Sequence, residues 1–392
     1  MIYVGIDVAK DKHDVCILNE GAHIVVDNFR IANSRDGFAY LSRQLACLEN
    51  VPGDVTIGME DTGEYGDNLR NYLQRSGFCV KTINPLLTSL NKKANSLRKT
   101  KTDSIDAKQI ASMLLLDVGF KPTSIVSQES EELKSLVRYK TSLIRKRAIE
   151  KTAIKRLVNI ICPELEKCFT NIHAKAVYAF LREYPSLGQM QRASLQKVAR
   201  ILYLSSQGRY GERKAIEIKR VATRSIGKNS DAKSRELIGT LKRIEMLSDE
   251  IEELDTEIKQ TLTKVNSTIT TIPGLGVTSA AIILSEVGDF SRFSSAEKLL
   301  AYAGMSPSVY QSGKYTSGHA RMEKRGSSML RYAIFLATRS VCIYEPSFAQ
   351  YLAKKRGEGK HYYVAISHAA RKLVRLIYAM EINHTVFIRK PH

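Results

Sequence analysis

Four acidic residues in the first third of the chain are spaced so that they could meet at one point: Asp7 in GIDVAK, Glu60 in TIGMED, and Asp103 with Asp106 in KTDSIDA. Asp7 sits in an apolar run, IYVGID, and Glu60 ends another, VTIGME, both of which read as buried strands. Asp103 and Asp106 stand three apart at the start of a helical stretch, DSIDAKQIASMLLL, so one helix face carries both. Singly, each acid has an ordinary use: Asp7 could cap a turn, Glu60 could face solvent, and Asp103 with Asp106 could favour a helix N-terminus through its dipole. Together they point to phosphodiester chemistry. Unit charges about 4 Å apart repel by roughly 4 kcal/mol at an effective dielectric near 20, so gathered carboxylates need a cation. Mg²⁺ suits them, with Mn²⁺ as a substitute, because it takes hard oxygen ligands and keeps positions open for phosphate oxygens.

A second constellation lies in the C-terminal part. In ITTIPGLGVTSA, Pro273, Gly274 and Gly276 predict a tight turn into a helix begun near Thr278, as in a helix-hairpin-helix hairpin. Its glycines would let backbone N–H groups approach a phosphate, although an ordinary connector fits the same residues. Farther on, Ser312 stands beside Gly313 in a polar loop with Lys314, Arg321, Lys324 and Arg325, ahead of a helix carrying Arg331. A serine attacks only when something removes its proton and something stabilises the charge that develops. His319 is the only local base, and a metal-lowered serine pKa would fill the gap. Ser317, Tyr310 and Tyr315 are the other nucleophile candidates, and a plain surface turn is the bland reading.

The elements that must position these residues follow from patterning. Residues 1 to about 122 read as three strands (IYVGID, DVCILN, HIVVDNF), a helix around FAYLSRQLACL, the strand VTIGME, a helix around GDNLRNYLQRSG and the strand CVKTIN. That order is the RNase H-like one, with a metal site where the first and fourth strands neighbour each other. From Glu131 to Ile161 the pattern is helical, and between Lys134 and Arg156 nine Lys or Arg face a single acid, Glu150. Such a one-signed helix, with Arg145, Lys146 and Arg147 at its middle, is expected to track a phosphate backbone and to need a partner that neutralises it. Leu237, Leu241, Ile244, Ile251, Leu254, Ile258 and Val265 form a near-heptad seam, predicting a coiled coil within the chain or between protomers. Between the two helices a basic, mostly helical region runs from about Asn171 to Ser230 and is expected to pack as an inserted lobe. The expected domains are 1–122, 123–268 and 269–392, an α/β domain followed by α-helical ones.

The 392 residues are 43% apolar, enough for several cores, and 60 Lys and Arg against 40 Asp and Glu give a net charge of +20 that favours a polyanionic partner. The cysteines are scattered without metal spacing, and no apolar run approaches a membrane span, so a cytoplasmic protein with reduced thiols is expected.

These motifs together resemble the DEDD transposases of bacterial insertion sequences, the family of the pilin-gene invertase and the bridge-RNA-guided recombinases. The resemblance runs through GIDVAK, MEDTGEY, INP at Asn84 and KTDSIDA, then IPGLGVTSA, AYAGMSP, YQSGK and MEKRGSSMLR. It implies a RuvC-type N-terminal domain with Asp7, Glu60, Asp103 and Asp106 holding Mg²⁺, and a C-terminal transposase domain whose catalytic serine is Ser312. It further implies donor and target DNA as substrates, a covalent phosphoserine and a structured noncoding guide RNA. Dimers paired into a tetramer would bring acids of one protomer to the serine of another, in the bacterial cytoplasm at the nucleoid. The long segment between the basic helix and the coiled coil departs from compact members. A RuvC-like endonuclease using water, a sugar-kinase-like ATPase and a non-enzymatic RNA-binding scaffold are the competing readings. The ATPase would need further glycine-rich phosphate loops.

Overall fold

The computed structural model describes residues 1–48, 54–60, 63–95, 103–117, 120–122, 128–307, 311–312, 315–316 and 322–389. Within these, side chains are described except at 63–64, 86, 92–95, 103–104, 121–122, 311–312 and 315–316. The chain divides into two compact units, Met1–Ile125 and Val126–His392.

The first unit is a mixed sheet covered by helices. Strand β1 (Ile2–Val8) pairs antiparallel with β2 (Lys12–Asn19), which pairs antiparallel with β3 (Ile24–Ala32). On its other edge β1 pairs parallel with β4 (Val55–Glu60), followed by parallel β5 (Cys79–Ile83) and a short antiparallel β6 (Phe120–Pro122). The order is β3-β2-β1-β4-β5-β6. The five strands expected from apolar runs are the first five. Three-residue β6 is too short for alternation to show.

Period-two alternation gives each face of this sheet its own cover. Val4, Ile6, Val15, Ile17, Ile57 and Met59 pack against Phe38, Leu41 and Leu45 of helix α1 (Arg35–Ala46) and Leu69 and Leu73 of α2 (Asp67–Arg75). Helix α3 (Pro85–Asn95), which no sequence pattern announced, leads toward α4 (Asp103–Leu115). The opposite face of the sheet receives α4 at glycine. A Cβ on Gly5 would stand 2.2 Å from the Ala107 carbonyl oxygen and 2.3 Å from the Ala111 nitrogen, so helix backbone lies directly on strand backbone. Gly58, the register partner of Gly5 on β4, is closed off by the Phe120 ring at 2.8 Å.

In the second unit, α5 (Gln128–Ile161) runs antiparallel to a later helix of equal length. A short 3₁₀ turn (Pro163–Cys168) and helices α6 to α9 (Lys175–Glu183, Leu187–Arg192, Leu195–Ser205, Glu212–Thr223) intervene, and then α10 (Asp231–Lys264) returns along α5. The inserted lobe buries Phe180, Leu181, Val198 and Ile218 together with Ile154 and Ile161 of α5 and Leu237 and Ile244 of α10, so it caps one end of the helix pair. The heptad seam therefore closes within one chain. At its middle Leu143 meets Leu247, Ile251 and Leu254.

This pairing takes up part of the charge of α5. Lys140 bridges to Asp255, Arg156 to Glu236 and Arg138 to Glu286 at 3.1 Å, while the single acid Glu150 is itself taken by Arg243 of α10 at 3.0 Å. Acids of the same unit thus meet the ends of the one-signed run, whereas Arg145, Lys146 and Arg147 at its middle have no carboxylate partner among the described residues.

The C-terminal elements are α11 (Val277–Val287), α12 (Ala296–Tyr302), a hairpin of β7 (Gln311–Ser312) and β8 (Tyr315–Thr316), α13 (Ser328–Tyr344), α14 (Pro346–Gly357) and α15 (Tyr362–Asn383). Their core joins Ile283, Leu300, Ile334, Phe348 and Leu373 to the Leu133 and Ile258 end of the coil. Among the described residues no helix is long and apolar enough to cross a membrane. All six cysteines are free, with Cys16, Cys162, Cys168 and Cys342 buried and Cys47 and Cys79 exposed.

Two outcomes test this architecture. Gly5→Ala should destabilise the first unit by about 1–3 kcal/mol, since a methyl there must displace helix backbone; a denaturation midpoint equal to that of the unchanged protein would contradict the contact. Lys140 sits in the seam with a side chain 7% exposed, whereas Asp255 is 50% exposed. Lys140→Met should therefore keep or raise stability, while Asp255→Asn leaves an ammonium stranded in the seam and lowers it. Urea melts giving the reverse order would place Lys140 outside the seam.

Candidate active site

Three of the four predicted acids are set around the Gly5 contact. Gly5 and Asp7 share a face of β1, as Gly58 and Glu60 share a face of β4, and both pairs lie on the face that α4 covers. The parallel register ends at Ile6 with Met59, so Asp7 and Glu60 are the next residues on adjacent strands. On α4, Asp106 precedes the Ala107 that touches Gly5, and it is only 7% exposed. Asp103 is the first residue of α4, one turn before Ala107; its side chain lies outside the described residues. Glu60 is oriented by the buried hydroxyl of Thr88, which donates to Oε1 and also lies 2.9 Å from the Pro85 carbonyl. Gln109 of α4 donates to the Thr88 carbonyl at 3.2 Å, linking the helix that carries Asp106 to the residue that orients Glu60.

A fifth acid joins this row and was not singled out from the sequence. Asp14 is the direct cross-strand partner of Asp7 and is 2% exposed. Its Oδ1 accepts from Arg30 Nε and from Asn28 Nδ2, each at 3.0 Å, so its charge is matched on the side away from β1. The signal was there to find: Asp14 shares the strand parity of Cys16 and Leu18, which face Ala107 and Ala111 in the core. An acid at an apolar parity position needs a reason. Among the described residues no three His, Cys, Asp or Glu side chains are gathered tightly enough to hold a metal ion. The donors on β1, β4 and α4 are nevertheless all carboxylates, and that set fits Mg²⁺ or Mn²⁺ rather than a softer ion.

Ser312 lies on a tightly based hairpin. It pairs with Tyr315, Gln311 pairs with Thr316, and Pro307 bridges Met322 below them. Lower still, Lys324 donates its N–H to the Gly304 carbonyl and Ser327 to that of Tyr302, both at 3.1 Å. This base is compact because Gly326 adopts φ +123° and a Cβ there would meet the Tyr302 oxygen at 2.1 Å. Arg331 Nη1 donates to the Ala303 carbonyl at 2.9 Å and to that of Lys324 at 3.4 Å, which makes it part of the base. Lys324 and Arg325 are exposed beside it. The side chain of Ser312, together with Tyr310, Gly313, Lys314, Ser317, His319 and Arg321, lies outside the described residues, as does the side chain of Tyr315.

Glu286 is the residue that sequence reasoning missed here. Buried at 6% exposure on α11, it accepts from Arg138 of α5 at 3.1 Å and from the Ser327 hydroxyl at 2.7 Å, while its carbonyl accepts from the Tyr302 hydroxyl at 3.2 Å. Ser327 in turn caps α13 by accepting from the Leu330 N–H at 3.1 Å. An acid inside the apolar run AAIILSEVG was the available signal.

Of the two turn glycines, Gly274 has φ +87° and lies against the α13 backbone, where a Cβ would meet the Ser340 oxygen at 2.7 Å. Gly276 caps α11 with open space around it, and only a single 3₁₀ turn (Ile269–Thr271) separates this turn from α10. Arg145 and Lys146 are exposed on α5, and Arg147 is half-buried and donates to the Ser248 hydroxyl at 3.2 Å.

Comparison with known proteins matches these two regions separately. Residues 4–163 match the DEDD-type IS110 transposase family, and residues 266–353 match the transposase IS116/IS110/IS902 family. The chain is 27% identical to an uncharacterised 44.8 kDa protein of insertion element IS116 from Streptomyces clavuligerus, over 74% of this chain and 73% of that protein. It is 26% identical to an uncharacterised 42 kDa protein of insertion element IS900 from Mycobacterium paratuberculosis, over 98% and 97%. It is also 24% identical to the pilin gene-inverting protein of Moraxella bovis, over 100% and 98%. With the acid-bearing sheet in one matched region and the serine hairpin in the other, the chain belongs to the IS110/IS116/IS900 family of DEDD transposases, enzymes that cleave and transfer DNA.

Proposed function

We propose that this transposase cuts donor and target DNA and rejoins them through a covalent bond to Ser312, directed by a structured noncoding RNA. The observation that carries the reading is the pinning of α4 at Gly5 and Gly58, which brings Asp106 to the face of the sheet where Asp7 and Glu60 stand side by side. The strand order β3-β2-β1-β4-β5 supports an RNase H-like, RuvC-type first unit. Asp7, Glu60, Asp103 and Asp106 would hold Mg²⁺, which when bound supplies Lewis-acid polarisation of a phosphate. Thr88 fixes one rotamer of Glu60, and Asp14, held by Arg30, is the cross-strand neighbour of Asp7.

In the cutting step the Ser312 hydroxyl would lose its proton and its oxygen would bond to phosphorus. The phosphorus bond to the departing strand breaks, and that strand's end leaves as a free hydroxyl carrying a proton. The serine ester conserves the phosphodiester bond energy, so the reverse attack by a new strand end rejoins DNA without ATP. A hairpin held at its base by Gly304, Gly326, Arg331 and Glu286 would deliver this serine from a fixed platform, with Lys324 and Arg325, and Lys314 and Arg321 in the same stretch, as cations for phosphate. Arg145, Lys146, Arg147 and the open approach to Gly276 would contribute backbone contacts. Because the α5–α10 seam is filled within the chain, pairing of protomers into dimers and tetramers would use other surfaces. The pilin gene-inverting relatives fit a rejoining reaction rather than simple cutting. The site of action would be the cytoplasm, at the nucleoid.

Two measurements test the reading. Calorimetric titration with Mg²⁺ or Mn²⁺ should show binding that Asp7→Asn and Asp106→Asn each weaken by tenfold or more, on the order of 1.4 kcal/mol or above; unchanged affinity in the double variant would sink the metal assignment. Ser312→Ala should keep folding and nucleic-acid binding but lose recombination and the protein–DNA adduct on a denaturing gel. An adduct that survives moves the nucleophile to Ser317, Tyr310 or Tyr315, and cleavage with no adduct in the unchanged protein makes it a water-using nuclease.

A further inference from the structure

Helices α14 and α15 carry none of the residues assigned above to cutting or joining, yet they enclose a polar cavity of about 400 Å³ lined by Tyr351, His368, Arg371, Lys372 and Arg375. The last four stand at i, i+3, i+4 and i+7 on α15, so one face presents them over two turns, about 10 Å. Tyr351 faces the same space from α14, and Lys355, one turn on, lies 5.5 Å from the Tyr351 ring centre.

The charge here is accounted for residue by residue. Arg375 Nε donates to Glu297 at 3.1 Å, and Lys355 and Lys360 share Glu358. Lys372 is held over the Phe348 and Tyr351 rings at 4.6 and 5.1 Å and donates to the Ser347 carbonyl at 3.2 Å. Arg371 has neither a carboxylate nor a hydrogen-bonding partner among the described residues, although it is half-buried among like charges. His368 registers the same field: burial, then Lys355, Lys360 and Arg371, hold its pKa below the ordinary value, with Glu358 alone opposing them. Arg371 thus presents an unbalanced charge to the groove between flanking cations, and a cleft lined by one sign of charge concentrates the opposite ion.

We propose that this α14–α15 groove is a binding site for a nucleic-acid backbone phosphodiester, with Arg371 as its principal ligand and Lys372 and Arg375 flanking it. Arg371 brings a planar fork of N–H donors suited to two phosphate oxygens, and the restrained ammonium of Lys372 supplies a fixed charge beside it. Three of the five lining residues are cations, which meet phosphate and not base edges, so the groove positions DNA or RNA rather than selecting sequence. The inference rests on family membership and not on the identity of the nucleophile, so its test needs no cleavage.

Full-length protein is titrated by fluorescence anisotropy into a short DNA duplex and, separately, a short RNA duplex of unrelated sequence, across roughly 50 to 200 mM salt. Arg371→Gln should weaken binding severalfold and reduce the slope of log affinity against log salt by about 0.9, one phosphate contact. Arg371→Lys should keep the slope, and circular dichroism should be unchanged because Arg371 makes no hydrogen bond or ion pair among the described residues. Lys259→Gln, an exposed cation on α10, controls for net charge. A reduced slope with DNA alone or RNA alone names the occupant, and a reduction with both supports a shared track. An unchanged slope with both, or an equal loss in Lys259→Gln, overturns the site.

Discussion

The contact between the α4 backbone and the backbone of β1 at Gly5 is the constraint on which the catalytic half of the molecule depends. Any side chain at that position would hold the helix off the sheet, and the first turn of α4, where Asp103 and Asp106 lie, would move away from Asp7 and Glu60 with it. The same face therefore has to be poor in side chains at one row, Gly5 with Gly58, and rich in carboxylates at the next, Asp7 with Glu60. Mutual repulsion of the acids opposes the approach. It is offset by the alanine contacts behind them and by the Thr88–Gln109 link, which makes the rotamer of Glu60 depend on the position of α4.

The serine half solves a different problem. A two-strand hairpin is marginal on its own, so its order has to come from its base. There the chain uses glycines at positive φ to let α12 and α13 backbones close together, and Arg331 to take up carbonyls that the turn leaves unpaired. Glu286 adds a constraint of longer range. By binding Arg138 and the capping serine of α13 at once, it makes the start of α13, and so one leg of the hairpin, depend on where α5 lies. A buried acid with two such partners is costly to leave half-satisfied, which ties the long helix and the hairpin base into one cooperative arrangement.

What could be read without coordinates was what local patterning encodes. Apolar runs marked β1 to β5, the 3.6-residue period marked α1, α2, α4 and α5, and the heptad seam marked α10. The acids Asp7, Glu60 and Asp106 stood out because they sit where apolar strands end or a helix begins. Asp14 and Glu286 did not, because their importance comes from partners that only the fold supplies, Asp7 across a strand pair and Arg138 across a helix pair. The seam left open whether its partner was α5 or another protomer; α5 alternates Leu133, Leu143 and Ile154 with Lys140 and Arg147, which hides its half of the seam. Such a mixed seam is legible only once the acids that satisfy its cations are known.

The same accounting separates a charged surface from a binding surface. On α5 the cations are dense in sequence, yet most of those with resolved partners meet acids of the same unit, so their density overstates the field they offer to a polyanion. On α15 the cations are fewer, but Glu297 and Glu358 are already engaged and Arg371 is left to face a concavity. Net charge alone does not show which cations of either helix remain unbalanced. A phosphate responds to local charge that remains unbalanced, which on α5 is concentrated at Arg145 and Lys146 and on α15 at Arg371, where the half-buried wall of the groove weakens screening by water.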